Sequence, residues 1–370
     1  MLFYIANATI VFKICNEMIE TTQIEKTSWG TNQGKEVFLY TLTNALGSQL
    51  QVATYGGILV SFKTADKAGN FGEVLLGKDN LEDYLDNTCY LGVIAGRFAN
   101  RIAKGKVTID GTDYTLATNN GENFLHGGAK GFDQKVWDVV EEKSENGTTS
   151  LVLSYVSADG EENLPGTMTT QVKYSLTDDN EIVLEYTATT DKKTVINLTS
   201  HPYFNLKGEG DIADVDLKLN CEFFTPIDET CIPTGEIISV KGTPFDFTET
   251  KKIGLEIDAD YEQNRIGVGY DHNLVINKPY GEFGFVGEAY DATTGRAMSV
   301  YTTEPGIQFY TGNWLEGEKG RNQTALIKRE GFCLEAQHYP DTPNQPHFPS
   351  AELNPGETYT QKTVYKFFVK

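Results

Sequence analysis

Cysteine and histidine are scarce in this chain of 370 residues, with five of each. Cys15, Cys89, Cys221, Cys231 and Cys333 are odd in number, scattered, and contain no Cys-x-x-Cys. That pattern argues against a disulfide framework and a zinc knuckle and leaves reduced thiols as the expectation. His126, His201, His272, His338 and His347 stand apart from one another without metal-ligand spacing. There is no G-x-x-x-x-G-K-[ST], no G-x-S-x-G, no H-E-x-x-H and no G-x-G-x-x-G, so metal and nucleotide cofactors lack their usual support and none is expected. Basic charge is also in deficit: 31 Lys and Arg stand against 52 Asp and Glu, a formal charge of -21. Such a field repels phosphate backbones and anionic lipid, so neither nucleic acid nor a membrane is an expected partner. A neutral polar ligand such as a sugar feels no such field.

No long hydrophobic run is present. The opening MLFYIANATIVFKICNEM is interrupted by Asn7, Thr9 and Lys13, lacks a basic leader and a cleavage site, and is too short to span a bilayer. Residues 1–24 are therefore expected to be an N-terminal extension, and Met18 offers a start that would leave the first 17 residues outside the native protein. A cytoplasmic location is expected, with a secreted or periplasmic one as the alternative if the opening stretch acts as a weak signal. Nothing in the sequence fixes the oligomeric state. Helical periodicity is sparse as well: NLEDYL at 80–85 begins on a capping residue, Asn80, but nowhere does a 3.6-residue apolar period persist for three turns.

What is present is alternation. EVFLYTLTN, QLQVATYGG, KVTIDGTDYTLA, SLVLSYVS, TQVKYSL, EIVLEYTATT, VDLKLNCEFFTPI and RAMSVYTTEPGIQFYTG all read as strand-bearing runs between turn signals. Asp110-Gly111 is a hairpin signal, because the turn requires positive φ. With no composition break or long linker, residues 25–370 are expected to form one domain, all-β, built as a large antiparallel β-sandwich.

Polar residues in strand-end or glycine-rich settings are the candidates for chemistry. In NLTSHPYFNL (197–206), β-branched and apolar residues lead to His201, and Pro202 removes a backbone donor directly after it, so the ladder is expected to end there and expose the ring. GRFANRI (96–102) offers Asn100 and Arg101 as donors to ligand oxygens. NGENFLHGG (120–128) places two glycines after His126, permitting close approach of backbone to ligand. Asp271 in GYDHN is a possible acceptor for two hydroxyls, and Gln308 lies beside Phe309 and Tyr310 in TTEPGIQFYTGN. In GFCLEAQHYPD a strand would put Cys333, Glu335 and Gln337 on one face and Phe332, Leu334 and Ala336 on the other. A Glu on a cleft floor would be desolvated toward the general-base range. Each segment also has a plain structural reading, as a solvated loop, a turn or a core strand.

Taken together and in order, ATYGG, GRFANRI, FLHGG, NLTSHPYFNL, TPFDF, GYDHN, TTEPGIQFYTGN and GFCLEAQ, followed by NQPHFP and LNPGETY, resemble the galactose mutarotase (aldose 1-epimerase) family from about residue 27 onward. The resemblance implies a β-sandwich and interconversion of the α and β anomers of free aldohexoses such as galactose and glucose. It makes Glu335 the general base, His201 the general acid, and Asn100, Arg101, His126, Asp271 and Gln308 the sugar-binding set, with Glu304 outside it and no cofactor. Glu335 ionised with His201 protonated is the expected active pairing. Two positions depart from the family pattern, Pro202 after the acid and Leu164 before Pro-Gly in a middle loop; the second bears on sugar preference if that loop borders the site. The rival readings are a non-catalytic carbohydrate-binding protein, a β-sandwich glycoside hydrolase using Asp271 and Glu335, and an epimerase of phosphorylated hexoses, for which only Arg97 and Arg101 lie close together.

Overall fold

The computed structural model describes residues 23–370, so the expectation for the first 17 residues lies outside them. Three large sheets, all of antiparallel pairs, dominate. The first has five strands in chain order, from Gln23–Asn32 to Phe71–Glu73. The second has nine strands and runs spatially from Asp138–Glu145 through Met168–Thr177, Glu181–Thr190 and Tyr359–Val369 to Lys251–Lys252. The third has five, ordered Ile238–Ser239, Cys221–Phe224, Asp271–Ile276, Gly306–Tyr310, Cys333–Gln337.

Alternation explains the layering. In Met168–Thr177 the side chains of Met168, Thr170, Val172, Tyr174 and Leu176 are buried, and they face Tyr186, Leu184 and Ile182 of the neighbouring strand in register. One contiguous apolar cluster draws on all three sheets, with Phe62 of the first against Phe367 of the second at 4.7 Å between ring centroids. Fully burying such side chains is worth about 1.5–3 kcal/mol each, which is what holds the layers together. Asp110 and Gly111 adopt φ of 48° and 76° in a tight hairpin, and Asn80 caps Leu81–Leu85 by accepting from the Asp83 N–H at 2.9 Å.

Two runs that read as continuous in sequence are each split between sheets. VDLKLNCEFFTPI gives Asp216–Leu219 to the nine-stranded sheet and Cys221–Phe224 to the third sheet, with Asn220 at the corner donating to the carbonyls of Asn277 and Phe285. RAMSVYTTEPGIQFYTG does likewise: Arg296–Thr302 belongs to the nine-stranded sheet and Gly306–Tyr310 to the third. Pro305, which has no N–H to offer a ladder, lies between them. Among the described residues Cys89, Cys221, Cys231 and Cys333 are unpaired thiols, and no helix is long and apolar enough to cross a membrane.

Candidate active site

Three adjacent strands of the third sheet build the floor. Gln308 lies opposite Glu335 on one side and Asn273 on the other, while Asp271 lies opposite Tyr310. Period-two alternation therefore puts Asp271, Gln308, Glu335 and Gln337 on one face, and sends Leu274, Ile307, Phe309, Leu334 and Ala336 into the core. His272, one residue out of phase, is buried against Phe245. Its Nδ1 accepts from the Asp271 N–H, which leaves Nε2 to donate to Gln263.

The decapeptide NLTSHPYFNL is zipped to this floor. His201 exchanges backbone hydrogen bonds with the 92–93 segment, and three residues later Phe204 pairs with Phe332 in both directions. Three residues beyond Phe332 is Glu335, so the two pairings bring imidazole and carboxylate together, His201 Nε2 lying 3.6 Å from Glu335 Oε1. The ladder ends as expected, but the ring is not exposed: His201 is 4% accessible because Tyr203 and Tyr310 pack around it. It lines an internal cleft instead.

Asn100 and His126 hold each other. The His126 N–H donates to the Asn100 carbonyl at 3.2 Å and the Asn100 N–H donates to His126 Nδ1 at 3.1 Å. Both residues have left-handed backbones, φ 62° and 47°, a cost typical of sites where position matters more than comfort. Because Nδ1 accepts, the neutral ring must carry its proton on Nε2. The ligating atoms of His126, His201 and Glu335 fall within 4.8 Å of one another, a spacing that suits a metal ion. A metal-bound histidine, however, donates from its other nitrogen, and His126 does the opposite. Its Nε2–H is a donor on a ring that lines the cleft.

A cleft of about 410 Å³ is lined by Asn100, Arg101, His126, His201, Asp271, Gln308 and Glu335 together. That is within the range of small-molecule sites. Asp271 accepts from Gln308 Nε2 at 2.7 Å and lies 3.9 Å from Arg101, whose Nε donates to Asn120. Glu335 is 2% accessible and its Oε2 has no hydrogen-bond partner among the described residues. Burial, reinforced by Asp271 and opposed by Arg101, holds its carboxyl well above the usual carboxylate range. Burial also pushes His201 down to about 4, and His126 well below the ordinary imidazole value. The shifts of Glu335 and His201 both favour the neutral forms, a protonated carboxyl beside a neutral imidazole. The expected pairing of ionised Glu335 with protonated His201 has the same proton count and is reached by one transfer across the gap.

A match to the family model described as Aldose 1-epimerase spans residues 39–366. The chain belongs to the aldose 1-epimerase family. Galactose mutarotase of Bos taurus is 44% identical over 324 residues, 87% of this chain and 91% of its own length, and the aldose 1-epimerase of Escherichia coli K12 is 36% identical over 340 residues, 91% and 97% respectively. Among solved aldose 1-epimerase structures, an aldose epimerase homologue from C. elegans superposes with a TM-score of 0.82 at 30% identity, covering 90% of this chain and 98% of its own. Galactose 1-epimerase from Lactobacillus acidophilus gives 0.83 at 26%, covering 94% and 99%. The likeness to these aldose 1-epimerases runs through both the fold and the segments that carry the cleft.

Some cleft residues of this family member are not evident from sequence motifs. Tyr90 sets its ring 4.7 Å from His126, Asn119 and Asn120 form one wall, and Trp314 stands 64% accessible at the cleft. Trp314 follows the TTEPGIQFYTGN motif directly, and its being one of three tryptophans was the available signal. Arg97, by contrast, is fully committed elsewhere, donating to Ser157 Oγ and to the carbonyls of Ser157, Ala158 and Pro165. Arg101 is thus left without the second cation that phosphate recognition calls for. Glu304 lies outside the cleft, in a buried pair with His338 at 2.7 Å, and His338 in turn meets the Tyr280 hydroxyl at 2.9 Å. That chain lines a larger cavity of about 670 Å³, but its ionisable groups satisfy one another.

The elevated Glu335 carboxyl has a consequence for stability. A folded-state value above the unfolded value of about 4.3 means that the native protein binds more protons between the two, so stability is fully present below about 4.3 and is lost as pH rises through the folded value. Glu335→Gln, which does not titrate, is therefore expected to unfold at a higher temperature than the wild type at pH 8, by about 0.5–2 kcal/mol of added stability. The two should coincide near pH 4. Thermal melts at both pH values check this; a destabilised variant at pH 8 would contradict the account of Glu335.

Proposed function

We propose that the chain is a mutarotase that interconverts the α and β anomers of free aldohexoses such as galactose and glucose by acid/base ring opening and reclosure. The observation that carries the reading is an unpartnered carboxylate oxygen on the floor of a monosaccharide-scale cleft, with an imidazole nitrogen facing it. Opening the ring takes a proton from the anomeric O1 and delivers one to the ring oxygen O5. Rotation about C1–C2 and reclosure then need the same two groups with exchanged roles.

A bound sugar would place a hydroxyl against Glu335 Oε2. Hydrogen bonding to the charged form of a carboxylate favours that form, so the substrate itself draws the proton toward His201 and readies the base. Glu335 then accepts the O1 proton while His201 gives one to O5. Arg101 and the His126 Nε2–H stabilise oxygen as charge develops, and Asp271, Gln308 and Asn100 hold the remaining hydroxyls. The hydrolase alternative needs a second, protonated carboxyl across the bond to be cut. Asp271 already accepts from Gln308 and faces Arg101, which suits it to holding hydroxyls. Residues 25–370 are read as one domain, supported by the apolar cluster shared among the three sheets.

Polarimetry tests the reading. Freshly dissolved α-galactose and α-glucose should reach equilibrium rotation faster with the protein than without it, with no reducing sugar released from an aryl galactoside. An unchanged rate with both sugars would leave only the binding-protein reading.

A further inference from the structure

His126 is held at a strained backbone angle, and the chain on its C-terminal side has little structure of its own: Gly127, Gly128 and Gly131 crowd the turn that follows. A Cβ on Gly127 would lie 1.9 Å from the Gly96 carbonyl oxygen, so this turn is pressed against the segment that leads to Asn100 and Arg101. Asn119 donates to the Gly128 carbonyl and Gln134 to the Ala129 carbonyl, while the backbone N–H groups at the tip of the turn are taken by one carboxylate. Glu162 accepts from the Ala129 N–H through Oε2 at 2.9 Å and from the Lys130 N–H through Oε1 at 3.1 Å. Its approach is so close that a Cβ on Gly128 would lie 2.3 Å from Oε2.

The loop carrying Glu162 is itself built to hold that carboxylate still. Glu162 and Asn163 take left-handed φ of 49° and 63° within the short turn Glu161–Asn163. Such backbone persists only where surroundings over-determine it, and here they do. Glu161 accepts from Tyr155 and Ser157, Asn163 donates to the Thr115 carbonyl, and Asp159 accepts from the Gly166 N–H. Arg97 closes both ends with its four bonds to Ser157, Ala158 and Pro165. Leu164 is 1% accessible and belongs to a satellite core with Phe98, Ile102 and Phe124, so this departure from the family pattern does not line the cleft. The loop stands behind the site.

We propose that the 158–166 loop is a brace for the sugar-binding turn and that Glu162 is its positioning residue, fixing where the His126 Nε2–H points. The loop is anchored by Arg97 in the same segment that supplies Asn100 and Arg101. Its Glu162 tip clamps the turn after His126. Two separate pieces of the cleft are thereby referred to one rigid element. Glu162 touches no substrate and acts only through the backbone of Ala129 and Lys130.

The inference rests on the mutarotase reading, and its test begins with wild-type activity, so failure of that reading would show first as a wild type with no effect on the rotation rate. Given an active wild type, Glu162→Ala should lower kcat/KM for galactose by about 10- to 100-fold, the scale of a sub-ångström to 1 Å misplacement of a contact group. Glu162→Gln, which keeps one acceptor oxygen, should fall between. The decisive comparison repeats both substitutions in a His126→Asn background. If Glu162 works through His126, the added loss there should shrink toward unity, because two changes along one path are not additive. A purely structural role would instead subtract the same factor in either background and lower the melting temperature alike. Wild-type kcat/KM in both Glu162 variants, or an undiminished loss on the His126→Asn background, overturns the proposal.

Discussion

Glu335→Gln is expected to lower the turnover of galactose mutarotation by about 10²- to 10⁴-fold, the contribution of one general base or acid. The substitution keeps shape and volume, and Glu335 occupies a position on the strand Cys333–Gln337 with its neighbours Leu334 and Ala336 packed in the core. What is lost is the capacity to take the O1 proton. Because an amide still offers hydrogen bonds to a sugar hydroxyl, KM should move far less than kcat, the signature of an interaction made in the transition state. The variant should also be at least as stable as the wild type near neutral pH, so reduced activity will not be a folding defect. Polarimetric kcat and KM on galactose check the outcome, and retention of more than a tenth of wild-type turnover would remove Glu335 from the role of base.

His201→Ala is expected to cost turnover on the same scale, about 10²-fold or more, since O5 would then depart without a proton. The pH profile gives the independent check. In the proposed mechanism the site works while exactly one proton is shared between Glu335 and His201. Adding a second requires protonating His201, whose value burial has pushed to about 4, so the acid limb of kcat/KM should lie in that region. Removing the shared proton requires ionising the elevated Glu335 carboxyl, so the alkaline limb should lie well above the usual carboxylate range. The limbs belong to the pair as a unit. A profile flat from pH 4 to 10, or full activity in His201→Ala, would dismiss the pairing.

Much of this was legible before any coordinates. Alternation identified the strands because both sides of most ladders are decided by a single apolar face, and Cys333, Glu335 and Gln337 fall together as that period requires. The site segments were legible through a resemblance spread over many short motifs, while each motif alone was open to a bland reading. What sequence could not give was sheet membership. Nothing in VDLKLNCEFFTPI announces that the chain changes sheets at Asn220, because the corner is set by carbonyls of Asn277 and Phe285, far along the chain. The upward shift of the Glu335 carboxyl was equally hidden, since it follows from burial and from the neighbouring Asp271. Tyr90 and the Asn119–Asn120 wall were missed for a related reason: their place in the cleft depends on how loops fold over the floor.

The registration of the floor strands has a bearing on which genetic changes the molecule can absorb. Asp271, Gln308 and Glu335 lie on three neighbouring strands, Gln308 opposite Glu335 and diagonal to Asp271, each flanked by residues of opposite parity that fill the interior. Deleting or adding one residue inside any of these strands would turn its functional group to the opposite face and bring a neighbour in its place, Tyr270 or His272 for Asp271, Ile307 or Phe309 for Gln308, Leu334 or Ala336 for Glu335. Length variation should accordingly be tolerated at the Asp110-Gly111 hairpin, an exposed turn tied to the rest of the molecule by the Asp110–Lys193 ion pair, and purged from 271–276, 306–310 and 333–337.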